Sequence, residues 1–201
     1  MQLNGPDHPS FLFDCGEGTT LQLLRLMSND YAQQAKQFAG IKCVFVSHHH
    51  ADHHMGTISF LFERATYTNE PLYVVGPPSV ERYLFDYTTT IEPLPPYVFL
   101  TNQALQKRPD PGLLAAIGAS ALRCVTVYHC QGAFGYVVDR AAAPPFRVVY
   151  SGDTKPCTPL IHEGSDCDLL IHEATFEDGM EKEAALKRHS TIGQAIKVAH
   201  E

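Results

Sequence analysis

Apolar residues fall into short runs separated by glycine, proline and polar clusters. Phe11-Leu12-Phe13 has strand length and ends in Asp14-Cys15-Gly16-Glu17-Gly18, a strand running into a glycine turn. Thr20 to Met27 carries helical spacing at Leu21, Leu24 and Leu26. Ile41 to Val46 reads as a buried strand and leads directly into a block of histidines. Met55 to Ala65 and Ser79 to Tyr87 read as helices, with Leu72 to Val75 as a strand between them. Pro93 to Pro96 breaks the pattern. Leu100 to Ser120, holding Pro109 and Pro111, has no clear period and is expected to be an irregular insertion. Leu122 to Tyr128, Phe134 to Val138, Phe146 to Tyr150 and Leu169 to Ile171 read as further strands. Glu177 to Arg188 is expected to be a helix, with an acidic start and a basic end that suit the helix dipole. Thr191 and Gln194 have the spacing of a capping box opening a last helix. The alternation of strands and helices predicts a mixed α/β layered fold.

Composition narrows this picture. The chain has 201 residues, which suits one domain or a piece of a larger one, and 44% of them are hydrophobic and 18% charged, ordinary values for a folded chain. A net charge of −7 argues against a general nucleic-acid coat. It leaves room for a metal enzyme acting on RNA, because bound cations reverse the field locally. The six cysteines, at 15, 43, 124, 130, 157 and 167, form no C-x-x-C pair. Their scatter suits reduced thiols in an intracellular protein. No apolar run approaches the roughly 18 residues of a membrane span. Met1-Gln2-Leu3-Asn4-Gly5 does not have the form of a signal or transit peptide.

The 11 histidines are clustered, which directs attention to metal chemistry. Ser47-His48-His49-His50-Ala51-Asp52-His53-His54 follows a buried strand and contains the pattern H-x-H-x-D-H. Zinc needs nitrogen and oxygen donors converging at about 2.0–2.2 Å. His48 and His50 are two apart, so in extended chain both point the same way. Asp52 and His53 follow at a tighter bend and can face a second metal. His129 ends another strand, and Asp153 follows a third in Ser151-Gly152-Asp153-Thr154, where a carboxylate can bridge two metals. Such a pair suits phosphodiesters, esters and lactams alike.

H-x-H-x-D-H followed by His129 and Asp153 resembles the metallo-β-lactamase superfamily, whose fold is a four-layer αββα sandwich. Asp14-Cys15-Gly16-Glu17-Gly18-Thr19, His172-Glu173-Ala174-Thr175 and His189-Ser190-Thr191 are similar to stretches of the tRNase Z (ribonuclease Z) family. His129-Cys130 with Ala133-Phe134-Gly135, and Ser151 to Cys157, most resemble the catalytic carboxy-terminal half of its long form. The resemblance covers roughly residues 10 to 200 and treats the chain, 1–201, as a single partial domain. It implies a zinc-dependent endoribonuclease that removes the 3′ trailer of precursor tRNA by metal-hydroxide attack and leaves a 3′-hydroxyl. By the same resemblance, His48, His50 and His129 would hold one zinc. Asp52 and His53 would hold a second, with Asp153 bridging and Asp52 counted also as catalytic. Glu173 and His189 would form a couple that protonates the leaving oxygen. A carboxylate beside an imidazole favours the protonated ring, as a general acid requires. Asp14 is either an orienting partner of the ligands or a turn residue. His54 reads as a helix-start or orienting group, and His172 as a residue packing beside its strand.

The pattern also departs from the family. A further metal-binding histidine would lie on a strand beyond Glu201, the family's opening hairpin would precede Met1, and the interval from His129 to Asp153 is too short for a tRNA-gripping arm. These departures suggest a fold truncated at both ends, either a fragment of the long form or a short relative, with weak or no activity alone. Lys155, Lys187 and Arg188 are the candidates for phosphate contacts. The resemblance further implies an amino-terminal half or a second copy as partner, no membrane, and a nuclear or mitochondrial address. Two rival readings are another hydrolase of the same fold (thioesterase, lactonase or arylsulfatase) and a non-catalytic, metal-poor partner domain.

Overall fold

The computed structural model describes residues 9–27, 30–141 and 143–201. The reading of Met1 to Gly5 lies outside the described residues. Two compact units emerge, one comprising Met1–Thr101 with Pro111–Gly118, the other Asn102–Asp110 with Ala119–Glu201. Each holds one four-stranded sheet with helices, an α/β architecture.

In chain order the first unit runs β1 (Ser10–Phe13), α1 (Thr19–Leu26), α2 (Tyr31–Gly40), β2 (Ile41–Phe45), α3 (Ala51–His54), α4 (Thr57–Ala65), β3 (Leu72–Gly76), α5 (Pro78–Thr90) and β4 (Tyr97–Thr101). Next, α6 (Asn102–Lys107) belongs to the second unit and α7 (Pro111–Ile117) to the first. The second unit continues as β5 (Ala119–Thr126), β6 (Phe134–Arg140), β7 (Phe146–Tyr150), α8 (Thr158–Gly164), β8 (Leu169–Ile171), α9 (Glu181–Lys187) and α10 (Ile192–His200).

The first sheet is wholly parallel, in the order β1-β2-β3-β4, and helices make every crossover. A parallel strand is covered on both faces, which is why Cys43-Val44-Phe45-Val46 is one continuous apolar run and fully buried. Phe38 of α2 stacks on Tyr67, ring centroids 5.2 Å apart, and packs against Phe60 of α4 at 5.7 Å. This cluster continues through Leu72, Val74, Val80 and Leu84 beneath the sheet.

The second sheet has the order β5-β6-β7-β8, with two antiparallel pairs and a final parallel one. One carboxylate ties three of its strands. Asp139 of β6 accepts from Arg123 Nη1 of β5 at 2.8 Å and from Arg147 Nε of β7 at 2.7 Å. Those two hydrogen bonds outweigh the upward push of partial burial and hold the Asp139 carboxyl below its ordinary range.

Two expectations change. The segment from Leu100 to Ser120 is not an irregular insertion: it completes β4 and builds α6 and α7. Its helices are only six and seven residues long, too short to display a period, and Pro111 occupies the first position of α7, where its missing N–H costs nothing. Leu105, Leu113 and Ile117 are nonetheless buried. The helix expected from Glu177 begins only at Glu181, because Gly179 turns the chain at φ 93°. The capping box at Thr191 and Gln194 forms as the spacing predicts.

Candidate functional site

Strand β2 delivers the chain through buried Val46 and Ser47 to His48, which is fully buried. The backbone is still extended at His50 (φ −66°, ψ 144°), so the rings of His48 and His50 come together, Nε2 to Nδ1 2.9 Å. The tighter bend beyond them is α3, a single helical turn that carries Asp52 and His53. Asp14, at the end of β1 with φ 57°, underpins this loop. Its Oδ1 accepts from the Ser47 backbone N–H at 2.7 Å and its Oδ2 from Ser47 Oγ at 2.9 Å. Asp14 Oδ2 also accepts from His53 Nδ1 at 2.7 Å. With its proton on Nδ1, a neutral ring carries its lone pair on Nε2. That nitrogen lies 3.5 Å from Asp52 Oδ2, on a side chain that is 82% exposed. Two glycines permit the arrangement. A β-carbon on Gly16 would collide with the Asp52 carbonyl, and one on Gly56 with the Gly16 carbonyl.

The second unit repeats the device. His129, 7% exposed, donates Nδ1–H to the Arg188 carbonyl at 3.1 Å, and Arg188 Nη1 donates to the His129 carbonyl at 2.5 Å. A carbonyl only accepts, so Nδ1 carries a proton, and Nε2 lies 3.7 Å from Asp153 Oδ2. Donor atoms of His129, Asp153 and His189 lie within 4.8 Å of one another.

Behind them sits Glu173, at the end of β8. Its Oε1 accepts from the Thr154 N–H at 2.9 Å and from His189 Nδ1 at 2.8 Å. Its Oε2 accepts from the N–H groups of Thr175 at 3.0 Å and Ser190 at 3.1 Å. Ser190, fully buried, donates Oγ–H to the Thr154 carbonyl at 2.7 Å. Three loops are thus fastened to one carboxylate, which also holds His189 through Nδ1.

In each unit a histidine held through Nδ1 sets its Nε2 near a carboxylate oxygen. Imidazole nitrogen beside carboxylate oxygen is a donor set that suits zinc. The buried thiols are poor ligands by comparison, since burial pushes Cys15 and Cys124 up to about 12.

Within the first unit the chain brings together His48, His50, Asp52 and His53; within the second it brings together His129, Asp153, Glu173 and His189. Asp14 is an orienting partner as well as a turn residue. His54 bonds the His49 carbonyl at 3.0 Å, and burial holds its ring below the usual histidine range. His172 Nδ1 bonds the Glu173 carbonyl at 2.7 Å. Ser47, Thr154, Ser190 and the backbone of Arg188 went unnoticed as fastening groups in the sequence.

The model of the β-lactamase superfamily domain matches residues 10–201. This chain belongs to that superfamily. Other superfamily relatives sharpen the match. It is 40% identical over 192 residues to the mitochondrial ribonuclease Z of Drosophila melanogaster, covering 92% of this chain and 25% of that protein. It is 38% identical over 207 residues to zinc phosphodiesterase ELAC protein 2 of Homo sapiens, covering 94% and 24%. Among solved structures, a long-form RNase Z from yeast superposes with a TM-score of 0.86 at 25% identity, covering 95% of this chain and 31% of that one. The short form of human tRNase Z gives 0.75 at 24% identity, covering 98% and 79%, which speaks to the fold. This superfamily member therefore spans about a quarter of the length of the curated relatives it matches. No helix among its described residues is long and apolar enough to cross a membrane.

Proposed function

We propose that this chain carries the chemistry of a zinc-dependent endoribonuclease that removes the 3′ trailer from precursor tRNA and leaves a 3′-hydroxyl. The observation that carries the reading is the Glu173–His189 couple set beside Asp153, on a chain whose relatives are named ribonuclease Z and zinc phosphodiesterase. His48, His50, Asp52 and His53 of the first unit, and His129 and Asp153 of the second, are the proposed metal ligands, and both units are read as one metallo-β-lactamase-type domain. When bound, zinc supplies Lewis-acid stabilisation of a phosphoryl group.

The chain's own residues supply the rest. Asp14 and the Arg188 carbonyl fix the tautomers of His53 and His129, so that each presents Nε2 outward. As the bond between phosphorus and the 3′ oxygen breaks, His189 donates its Nε2 proton to that oxygen. Glu173 steadies the ring while it carries the proton. The phosphate stays on the trailer, and the tRNA keeps the hydroxyl. Precursor tRNA is the proposed substrate, an amino-terminal half or a second copy the proposed partner, and mitochondrion and nucleus the proposed compartments.

The test is an incubation of the zinc-loaded chain with precursor tRNA bearing a 3′ trailer. A 3′-hydroxyl tRNA and a 5′-phosphorylated trailer are expected. Hydrolysis of a small ester or thioester with the trailer left intact would favour the rival hydrolases instead.

A further inference from the structure

Beside His129 the second unit opens a groove of about 470 Å³, lined by Val127, Tyr128, His129, Gln131, Lys155 and Arg188 among others. Its polar wall is cationic and amide-bearing, without a carboxylate. Tyr128 is 42% exposed, which is unusual for a large ring next to a buried histidine. The Lys155 ammonium sits over that ring, 5.6 Å from its centroid.

The two loops that carry these side chains are stitched together. The Tyr128 N–H donates to Thr154 Oγ1 at 3.0 Å, and the Lys155 N–H to the Tyr128 carbonyl at 3.4 Å. Thr154 is in turn fixed by Glu173. The groove is therefore built on the scaffold that holds His129 and His189. Arg188 is committed elsewhere, since its guanidinium holds the His129 carbonyl. Lys187 does not line the groove. Lys155 is thus left as the groove's phosphate contact, out of the three basic residues near the site.

We infer that this groove is a nucleotide subsite, in which Tyr128 stacks a base of the RNA next to the scissile phosphate and Lys155 meets that nucleotide's phosphate. The inference rests on the RNA-processing reading above and adds the groups that hold the strand. An exposed aromatic ring next to a mobile ammonium is the pairing that single strands use, base on ring and phosphate on cation. Lysine suits the second task, because its flexible stem lets the ammonium leave the ring for a phosphate.

The test uses the whole chain and a fluorescein-labelled single-stranded RNA octamer, followed by anisotropy across a salt series. Tyr128→Ala should weaken binding about tenfold, as loss of one stacked base does, while Tyr128→Phe should bind like the parent. Lys155→Ala should weaken binding and lower the salt slope by about one. Melting curves of all three variants confirm that they fold. Octamer binding that Tyr128→Ala leaves unmoved, or that the parent chain lacks, overturns the subsite. Trailer cleavage is scored separately. Tyr128-dependent binding without cleavage removes the proposed activity and keeps the subsite, and cleavage with Tyr128-independent binding does the reverse.

Discussion

At the scale of single residues, the decisive feature is which imidazole nitrogen is already occupied. His53, His129 and His189 are each fastened through Nδ1, to a carboxylate, a carbonyl and a carboxylate respectively. In each ring Nε2 is the nitrogen on the side away from that fastening. His189 differs from the other two, because Glu173 also accepts three backbone N–H bonds and so fixes the ring to the scaffold. His189→Ala should therefore lower kcat for trailer cleavage about 10²- to 10⁴-fold, the usual range for a lost general acid, while bound zinc stays constant. Zinc lost in proportion to activity would make His189 a ligand. The candidate ligand types were legible in the sequence, since H-x-H-x-D-H groups histidines and a carboxylate after one strand. The fastenings were not. Nothing in Ser47, Thr154 or Ser190 as letters distinguishes a bond to Asp14 or Glu173 from an ordinary turn.

At the scale of elements, the histidine loop is seated by two close approaches of backbone to backbone, Gly16 against Asp52 and Gly56 against Gly16. Gly16→Ala must displace α3, at a cost of about 3 kcal/mol, or roughly 6–12 °C of Tm at this size. Gly40→Ala, in open space at the end of α2, should be neutral or stabilise by up to about 1 kcal/mol. Thermal melts of the two variants check the contrast, and equal melting temperatures would refute it. The Asp139 clamp on β5, β6 and β7 gives an acid signature. Its folded carboxyl titrates below the unfolded value of about 4, so its stabilisation is full above that value and fades as pH falls through the folded one. Asp139→Asn should cost about 1–2 kcal/mol at neutral pH, and less and less below pH 4, in urea titrations. A penalty independent of pH would mean that packing, not charge, holds the strands.

The strands and the capped last helix could be read from the sequence because short apolar runs bounded by turn residues, and the Thr191–Gln194 spacing, are local signals. The segment after Leu100 could not, since α6 and α7 are helices of only six and seven residues whose burial depends on what they pack against. Likewise α2 shows only Phe38 as a fully buried anchor, although Asp30 caps it by accepting from the Gln33 N–H at 3.1 Å. Tertiary context decides such elements, and one-dimensional spacing does not contain it.

At the scale of the whole molecule, the chain carries a net charge of −7 and, among the described residues, clustered side chains of metal-binding type. Zinc that binds only the folded state adds RT ln(1 + [L]/Kd), about 4 kcal/mol at a thousandfold excess over Kd. Saturating zinc should raise Tm by roughly 8–16 °C, and a chelator should reverse the rise. A melt that ignores both additions would remove zinc from the account. For the proposed RNA substrate, the same charge would leave affinity to a few cations and to bound zinc, and so make it depend on salt.

The glycine contacts beneath the histidine loop have a consequence for protein engineering. The ligand block looks like a portable cassette, eight consecutive residues that could be grafted onto another strand end. Its geometry, however, is written partly at Gly16 and Gly56, outside the cassette on both sides, and partly at Asp14. A graft of Ser47 to His54 alone would transfer the letters of a metal site and leave behind the surface against which the loop is moulded.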